Sequence, residues 1–488
     1  MKGKNSIGKR LTCLSLGYRA VRKIFNFSSG SNRYIMKKFI LFLILSLFSI
    51  VPAYSYQISF PGAKNLSIQS DGIFFAGCVN KNEDVFINGE KIVPNANGAF
   101  SKSYKLNLGD NTFSIKSSED KKTPEDTYII KRLPIDNLNT NLVEFPPQSY
   151  KTTKDNVVLR STPIDFGMNR MGYLPQGTDL IINGTKNEFS RVFLSPTNEG
   201  WVFTKDTIPD IRPPQVMGEF IGEGVSCEDN EYINNYKFSK NLPYSTKLDN
   251  NTLTLEVYNV ENQNNQTFST QIDVPNPQRY GISMDNGVLV VTVEEAVLEK
   301  QKFCVIVDAG HGGHEPGASG CLGDFEKDIN IGIAKQLEKS LKSNCVPTIL
   351  TRDSDKDVGL DERVNSAKNG GAVLFVSIHL NSVPENVNPN NFSGTTTYYY
   401  NEQAKSFACN VQKSLVNGLC TKDNGVKQAS FAVIRPTEYI GILVEVAYMV
   451  NPSDVELYKS KDFYKKTADG IANGILDYIN CLTVPNTP

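Results

Sequence analysis

The chain has 488 residues, too many for one compact core, so its length predicts two to four domains. Of its 51 Lys and Arg residues, ten lie within residues 1–55, a segment that contains no Asp or Glu. The rest of the chain has 41 basic against 52 acidic residues, a net charge of −11. This balance argues against nucleic acid as a partner, because nucleic acid is bound through Lys and Arg.

Residues 1–55 have the composition of a leader. Residues 36–38 are a short basic segment and residues 39–51 are apolar. Ala53 and Ser55 supply small residues at the positions that a signal peptidase needs, so we expect a signal peptide over residues 36–55 and cleavage before Tyr56.

A membrane anchor is the alternative interpretation, but the apolar run is short for a spanning helix. Residues 1–35 lie before this signal, and we expect that the start of translation was assigned too early. The alternative that we favour less is a basic organellar transit sequence. No other segment predicts a membrane span. We therefore expect an exported protein, located in the periplasm or in the cell wall and extracellular space.

The cysteine pattern fits an exported protein. Cys13 would leave with the leader, and the remaining even number permits disulfides whose pairing the sequence does not determine. There is no CxxC spacing, which argues against a structural cysteine–zinc site. We expect Cys304, within an apolar run, to be a buried small hydrophobe. The eight remaining cysteines are Cys78, Cys227, Cys304, Cys321, Cys345, Cys409, Cys420 and Cys481.

Residues 56–299 predict all-β modules, because short alternating runs are separated by turn pairs. Asn88-Gly89, Asn97-Gly98 and Asn286-Gly287 predict hairpins. Residues 56–135 resemble a bacterial immunoglobulin-like module through loose motifs such as Asp84-Val85-Phe86-Ile87-Asn88-Gly89. A linker is predicted after this module, over residues 136–148, since it contains Pro146-Pro147.

The next module, at residues 149–208, resembles a bacterial SH3-like barrel. The resemblance rests on an opening strand at residues 156–160 and on the closing Gly200-Trp201-Val202. We expect Trp201 to be a core residue of the barrel rather than a platform for a wall ligand. A third β-rich module of no assigned family follows at residues 209–299.

Residues 300–484 predict an α/β domain with a central twisted sheet flanked by helices, because apolar strand-like runs now alternate with helical periodicity. The predicted strands cover residues 303–307, 348–351, 373–378, 395–400 and 442–446. The predicted helices cover residues 326–343, 360–368, 402–419 and 463–478.

Histidine is scarce in this chain, and two of its three histidines follow apolar strands. His311 and His379 both come at such positions, and Glu326 opens a predicted helix. Two imidazoles and a carboxylate suit catalytic zinc, which takes three protein ligands and leaves a position for water. Taken singly, each histidine is often structural, and Glu326 could complement the helix dipole. Together they predict a metal-dependent hydrolase.

Glu445 interrupts the apolar run Gly441 to Ala447, where an ionised carboxylate is costly without a partner. One interpretation is a buried ion pair with a core arginine. The interpretation we prefer is a carboxylate at a strand end beside the metal, with a raised pKa suited to acid–base work.

Other polar residues near these motifs have less specific roles. We expect His314 to lie beside the ligands or in solvent rather than to bind metal. Asn381 either hydrogen-bonds near the metal or caps a turn. We expect structural ion pairing from Arg352, Asp353, Asp361, Glu362 and Arg363.

Residues 303–480 resemble the catalytic domain of zinc-dependent N-acetylmuramoyl-L-alanine amidases. The resemblance implies that His311, Glu326 and His379 bind Zn²⁺ and that Glu445 is catalytic. It also implies that the enzyme cleaves peptidoglycan between N-acetylmuramic acid and L-alanine. The matching segments are Val307-Asp308-Ala309-Gly310-His311-Gly312-Gly313, Glu326-Lys327-Asp328-Ile329-Asn330, Leu350-Thr351-Arg352-Asp353, Ser377-Ile378-His379-Leu380-Asn381 and Leu443-Val444-Glu445-Val446-Ala447-Tyr448.

Some members of this family carry a long helical insertion that plugs the metal site. Here Tyr400 and Gly425 are close in sequence, so we expect one ordinary helix between them and a site without a plug. A partner could still activate the enzyme or anchor it to the wall through the β modules. Two other functions stay open: a zinc peptidase acting on wall peptides, and a non-catalytic wall-binding adaptor.

Overall fold

The computed structural model describes residues 56–81, 83–117, 126–134, 141–213, 217–228, 231–274, 279–294 and 299–483. The predicted signal peptide at residues 36–55, and the segment before it, lie outside the described residues. Within the described ranges, no helix has both the length and the apolar character needed to cross a membrane.

The first β region consists of two sheets packed face to face. One sheet has the order β1-β3-β6 and the other β2-β8-β7-β4-β5, with β2 and β8 parallel. Their facing side chains, including Ile73, Phe75 and Phe113, form a core of their own. The strands are β1 (Tyr56–Phe60), β2 (Asn65–Ile68), β3 (Gly72–Val79), β4 (Val85–Ile87), β5 (Glu90–Ile92), β6 (Ala99–Lys105), β7 (Gly109–Ser117) and β8 (Asp126–Arg132).

The second β region is one sheet of seven strands with the order β11-β10-β14-β13-β12-β9-β15. Trp201 is 5% exposed, which confirms that it is a core residue. The strands are β9 (Val143–Thr152), β10 (Val157–Arg160), β11 (Arg170–Leu174), β12 (Asp179–Lys186), β13 (Phe189–Ser195), β14 (Asn198–Phe203) and β15 (Thr207–Pro209).

The linker expected at residues 136–148 is wrong in its second half, because β9 begins at Val143 and contains Pro146-Pro147. Proline cannot donate to a β ladder, so it is tolerated mainly at edges and bulges. The pairing of β9 with β12 shifts register between Ile182 and Gly184, opposite this segment. The two prolines therefore lie where the ladder is already interrupted.

The third β region contains two sheets, with the orders β16-β17-β22-β21 and β18-β19-β20. Its apolar side chains share one continuous core with those of the second region, so the two regions pack as neighbours without a polar gap. The strands are β16 (Phe220–Glu228), β17 (Glu231–Phe238), β18 (Tyr244–Asp249), β19 (Thr252–Tyr258), β20 (Thr267–Asp273), β21 (Arg279–Asp285) and β22 (Val288–Glu294).

Two of the three predicted hairpin turns are confirmed. Asn88-Gly89 joins the antiparallel pair β4 and β5, and Asn286-Gly287 joins β21 and β22; all four residues have positive φ. The hairpin predicted at Asn97-Gly98 is wrong. This turn leads from β5 to β6, and these strands belong to different sheets.

The α/β domain is built on a six-stranded mixed sheet with the order β24-β23-β25-β28-β26-β27. The first four strands in this order are parallel, and β26 runs antiparallel to β28. Its strands are β23 (Val305–Ala309), β24 (Thr348–Leu350), β25 (Leu374–Asn381), β26 (Thr395–Tyr399), β27 (Asp423–Gln428) and β28 (Ile440–Tyr448). Its helices are α1 (Glu326–Ser343), α2 (Leu360–Asn369), α3 (Lys405–Leu419), α4 (Pro452–Tyr458) and α5 (Phe463–Thr483).

Both faces of this sheet are covered, as the predicted α/β class requires. The larger core lies between the sheet and helices α1, α3 and α5. A smaller core on the other face includes Phe375 and Tyr439 from the sheet and Ala367 from α2. The helix expected at residues 402–419 begins with a 3₁₀ turn, so α3 starts at Lys405.

The first β region packs directly against the α/β domain. Phe74, Ala76 and Ala99 are buried in the larger core of the α/β domain. Hydrogen bonds reach the loops that follow the strands β23, β25 and β28, where the site described below lies. They join Ser59 Oγ to Cys321 O at 3.0 Å, Asn390 Nδ2 to Ser101 O at 3.0 Å and Asn95 Nδ2 to Pro452 O at 2.5 Å.

Candidate metal centre and active site

The turn that carries His311 follows the fully buried strand β23. His311 has φ of 60°, in the left-handed region that a residue with a side chain rarely adopts. At Gly310, a Cβ atom would lie 2.3 Å from the Cε1 atom of His379. The turn therefore needs glycine at position 310 so that the two imidazoles can approach each other.

Two buried arginines hold this turn through its carbonyl groups. Arg352 donates to the carbonyls of Ala309 and Gly310 at 2.9 and 3.0 Å. Arg363 donates to the carbonyls of Ala309 and His311 at 2.8 and 2.9 Å. These donors satisfy carbonyls that the strand ladder no longer pairs.

The ion pairing expected of five charged residues is confirmed for one. Arg363 pairs with the buried carboxylate of Asp308 at 2.5 Å. The expectation is wrong for Arg352, which donates to carbonyl groups only. In the described part of the chain, no ion pair involves the three exposed carboxylates Asp353, Asp361 and Glu362.

Glu326 is the first residue of α1 and is 3% exposed. Its Oε2 accepts the N–H of Ala318 at 2.8 Å, and its Oε1 accepts the N–H of Leu380 at 3.1 Å. Asn330, one turn along the same helix, donates to Oε1 at 3.3 Å and to the carbonyl of Gly310 at 3.2 Å. The carboxylate is thus fixed from three directions. No role was predicted for Asn330, although its i+4 spacing from Glu326 places both on one helix face.

The three candidate ligands converge. Nε2 of His311 lies 3.3 Å from Oε2 of Glu326, and Nδ1 of His379 lies 2.8 Å from Oε1. The ligand atoms that the three residues offer all lie within 4.8 Å of one another. The two imidazole rings are nearly perpendicular, at 80°, with centroids 4.9 Å apart.

Hydrogen bonds and charges within this group shift the pKa values of Glu326 and His311. Burial alone would raise the pKa of Glu326, but hydrogen bonds from His311 and His379 outweigh it and hold that pKa well below its usual range. The hydrogen bond with Glu326 raises the pKa of His311 above its usual value, although burial opposes the shift. The carboxylate therefore stays ionised, as a metal ligand must.

The sequence predicted that His379 follows a strand, but in the structure it lies within β25. Glu445 likewise lies within β28, directly opposite His379 in the parallel ladder. Both residues are near the carboxyl ends of their strands, the edge where sites gather in open α/β sheets.

Among the residues that the structure describes, no arginine pairs with Glu445, so the interpretation as a buried ion pair is wrong. Its Oε2 is buried without a hydrogen bond in the structure. Burial, reinforced by the negative charge of Glu326, raises the pKa of Glu445 well above the usual value. The carboxyl group of Glu445 thus lies close to the His-Glu-His cluster, and its raised proton affinity is suited to proton transfer.

The remaining predicted residues lie outside the cluster. His314 is 96% exposed in its side chain and pairs with Asp357 at 2.7 Å, which confirms the solvent-exposed position expected for it. Asn381 accepts the N–H of Ser382 at 2.9 Å through its side chain, which is the turn-capping role. Neither residue contributes to the group of candidate metal ligands.

The fold and this cluster define a C-terminal α/β domain with a His-Glu-His site at the carboxyl edge of its sheet. The family model described as N-acetylmuramoyl-L-alanine amidase (Amidase_3) matches residues 305–477. The protein named uncharacterized protein YqiI, from Bacillus subtilis (strain 168), is 39% identical over 178 residues, which are 36% of this chain and 84% of that protein. The chain therefore belongs to the Amidase_3 family of N-acetylmuramoyl-L-alanine amidases through its C-terminal domain.

Two other similar proteins match the same domain. N-acetylmuramoyl-L-alanine amidase LytC of Bacillus subtilis (strain 168) is 36% identical over 36% of this chain, and the match spans 35% of its own length. The solved catalytic domain of CwlV, from Bacillus (Paenibacillus) polymyxa var. colistinus, is 35% identical, with a TM-score of 0.35. That match covers 36% of this chain and 98% of the solved domain.

Proposed function

We propose that this protein is a peptidoglycan hydrolase that cleaves the amide bond between N-acetylmuramic acid and the L-alanine of the stem peptide. The observation that carries this proposal is the convergence of His311, Glu326 and His379 beside Glu445. The family to which the C-terminal domain belongs supports the choice of substrate.

We assign the His-Glu-His group to zinc, because the donors fit that ion. Tetrahedral zinc with nitrogen and oxygen ligands at ~2.0–2.2 Å separates its ligand atoms by about 3.4 Å. The 3.3 Å contact from Glu326 to His311 matches this separation, the 2.8 Å contact to His379 is shorter, and all three ligand atoms lie within 4.8 Å of one another. Three protein ligands leave one position for water, as in catalytic rather than structural sites. Bound there, zinc would polarise the scissile carbonyl and lower the pKa of water.

We assign proton transfer to Glu445. As a base it accepts the proton of the attacking water, and as an acid it then donates a proton to the departing amine of L-alanine. Its pKa, raised by burial and by the charge of Glu326, supports both steps, because a carboxyl group with a higher proton affinity takes up the proton of water more readily and holds it for the leaving amine. The parallel ladder fixes Glu445 against His379, so the proton carrier does not need a mobile loop to reach the site.

Other residues orient the site without touching the substrate in this proposal. Arg352 and Arg363 fix the carbonyls around His311, and Asn330 fixes Glu326. Support of this kind keeps ligands in position and raises metal affinity in proteins generally.

The segment between Tyr400 and Gly425 supports a site without a plug. It contains the single helix α3, whose residues Phe407, Val411 and Leu415 are buried in the larger core. The apolar side of α3 thus packs against the sheet and α5 and does not cover the metal site.

We also propose that the protein is exported through the signal peptide at residues 36–55 and acts in the periplasm or cell wall. The first β region is assigned to an immunoglobulin-like module at residues 56–135 and the second to an SH3-like barrel at residues 149–208. With the third region at residues 209–299, these modules would hold the enzyme on the wall or receive an activating partner.

Mass spectrometry of digested peptidoglycan tests the proposed reaction. Purified protein with zinc is expected to release intact stem peptides with a free L-alanine amino group and to leave glycan strands without peptides. Opened crosslinks with the stems still attached to glycan would identify a zinc peptidase instead. Wall that is bound but chemically unchanged would identify an adaptor.

A further inference from the structure

The interface between the first β region and the catalytic domain contains two cysteines. Side chains of β3 alternate between two cores: Ile73 and Phe75 face the core of the first β region, whereas Phe74 and Ala76 are buried in the larger catalytic core. Cys78 continues the second row by the period of two along a strand. Its partner on β6 is Ala99, which is buried in the catalytic core as well. Cys78 therefore lies on the face of the sheet that meets the catalytic domain.

Cys321 lies on the opposite side of the same interface, in the loop between His311 and Glu326. It is fully buried, and its carbonyl accepts the hydroxyl of Ser59 at 3.0 Å. Cys321 shares one buried core with Ala76, two residues before Cys78 on the same face of β3, and with Ala99, the partner of Cys78 on β6. The pKa of the Cys321 thiol is accordingly influenced by the Cys78 thiol and by the backbone of Gly77.

We propose that Cys78 and Cys321 form a disulfide that joins the first β region to the catalytic loop. Both are free thiols in the structure. Forming the S–S bond breaks both S–H bonds and releases two protons and two electrons. A disulfide oxidant outside the cytoplasm, such as an oxidised dithiol protein or glutathione disulfide, would take up the electrons and become two thiols.

This inference rests on the proposed export of the protein, because such bonds persist in oxidising compartments. It does not rest on the proposed amidase reaction. The bond needs the two Cα atoms at about 5.5 Å. Both cysteines lie at the same interface, since Cys321 packs in one core with Ala76 and Ala99, the neighbours of Cys78 along its strand and across the sheet.

The other cysteines of the described residues are placed differently. Cys304 is half-buried and its thiol donates to the carbonyl of Gly370. The remaining cysteines are exposed: Cys227, Cys345, Cys409, Cys420 and Cys481.

Burial affects when the bond would form. It raises the pKa of the Cys321 thiol to about 12 and also raises that of Cys78. Thiolates are therefore scarce once the interface has closed, and thiol–disulfide exchange requires a thiolate. Oxidation would accordingly occur while the exported chain folds, and the closed interface would then shield the bond from reductants.

The crosslink would stabilise the loop that supports the metal site. Ala318, three residues before Cys321, donates its N–H to Glu326. A bond between residues so distant in sequence also restricts the unfolded chain strongly. We expect the oxidised protein to unfold about 5 °C or more above the reduced protein.

Peptide mapping of the full-length protein tests the proposal directly. The protein is refolded in a reduced and oxidised glutathione buffer, alkylated under denaturing conditions without reductant, and digested. We expect a peptide pair joined through Cys78 and Cys321, with the other six cysteines of residues 56–483 alkylated. Alkylation of both Cys78 and Cys321, or pairing of either with another cysteine, would overturn the proposal. The result does not depend on amidase activity.

Thermal unfolding provides a second measurement. Wild type and the control Cys481→Ala, which alters an exposed cysteine, should both lose stability on reduction with a phosphine that does not bind zinc. Cys78→Ala should unfold at the same temperature with and without reductant. Equal responses in all three proteins would contradict the assignment.

Discussion

His379 and Glu445 are directly opposite each other on the neighbouring parallel strands β25 and β28. One residue offers a metal ligand and the other a carboxyl group with a raised pKa. Since both are fixed by the same ladder of backbone hydrogen bonds, their separation is set by the sheet rather than by a flexible loop. Opposite residues of one ladder also point to the same face, which brings the proposed proton carrier to the side of the sheet that holds the candidate metal ligands.

Glu445→Gln should separate catalysis from metal binding. The substitution keeps the shape of the side chain but removes its capacity to exchange a proton. We expect zinc content to remain at one ion per chain while release of stem peptides falls about 10²–10⁴-fold. Metal analysis and a peptidoglycan release assay measure the two quantities on the same preparation.

Glu362→Gln is the matched control, since Glu362 is exposed on α2. It should retain wild-type activity and zinc content. Near-normal turnover by Glu445→Gln would remove Glu445 from the mechanism, and loss of zinc would instead make it a ligand.

The zinc-free protein should show the effect of Glu445 on stability. Burial, with the charge of Glu326 as a second cause, raises the pKa of Glu445 well above its usual value of 4.5. The folded state therefore holds this proton more tightly than the unfolded state. Raising the pH above 4.5 thus lowers the free energy of unfolding by about 1.4 kcal/mol per pH unit, until the pH reaches the raised pKa of the folded state.

In the presence of a chelator, Glu445→Gln should consequently unfold at a higher temperature than wild type at neutral pH. The difference should shrink as the pH falls and disappear below 4.5, the ordinary carboxyl value. Calorimetric scans across the pH range would measure it, with Glu362→Gln as the control. A difference that is independent of pH would show that Glu445 titrates normally.

The sequence predicted the candidate site more completely than the surrounding structure. The sequence identified His311, Glu326 and His379 as candidate ligands because histidine is scarce and each residue lies in or next to a strongly periodic element. The contributions of Arg352 and Asn330 could not be predicted in this way. Their partners are backbone carbonyls and a carboxylate brought near by the tertiary fold, and a local pattern contains no information about such contacts.

The missed elements have similar physical explanations. β27 is a polar edge strand with no buried residue, so it lacks the alternation that marks a half-buried strand. α4 is short and is signalled only by Asn451 as its N-cap and by Pro452. The prolines of β9 were assigned to a linker because the bulge that accommodates them depends on its partner strand.

Gly310→Ala should damage the site through a steric contact. The new Cβ would lie 2.3 Å from Cε1 and 2.4 Å from Nε2 of His379, so the imidazole must move. We expect zinc affinity to fall about 10–100-fold, measured by competition with a chelator, because the ligand is displaced rather than removed. Gly222→Ala is the control, since no atom lies within 4 Å of its Cβ position. Equal affinities for the two variants would contradict the tight contact between Gly310 and His379.

Arg363→Met should destabilise the fold beneath the site. The arginine is buried, pairs with Asp308 at 2.5 Å and donates to the carbonyls of Ala309 and His311. Its removal leaves the buried carboxylate of Asp308 with only the hydroxyls of Thr351 and Ser377. We expect a loss of about 3–5 kcal/mol in the free energy of unfolding, measured by denaturant titration.

Lys342→Met provides the comparison for this loss. Lys342 forms an exposed pair with Glu338 one turn away on α1, and such pairs contribute only about 0.3–0.5 kcal/mol. The double variant Asp308→Asn with Arg363→Met should recover part of the stability, because no uncompensated buried charge remains. If Arg363→Met lowered the free energy of unfolding no more than Lys342→Met does, Arg352 and the strand alone would hold the turn around His311.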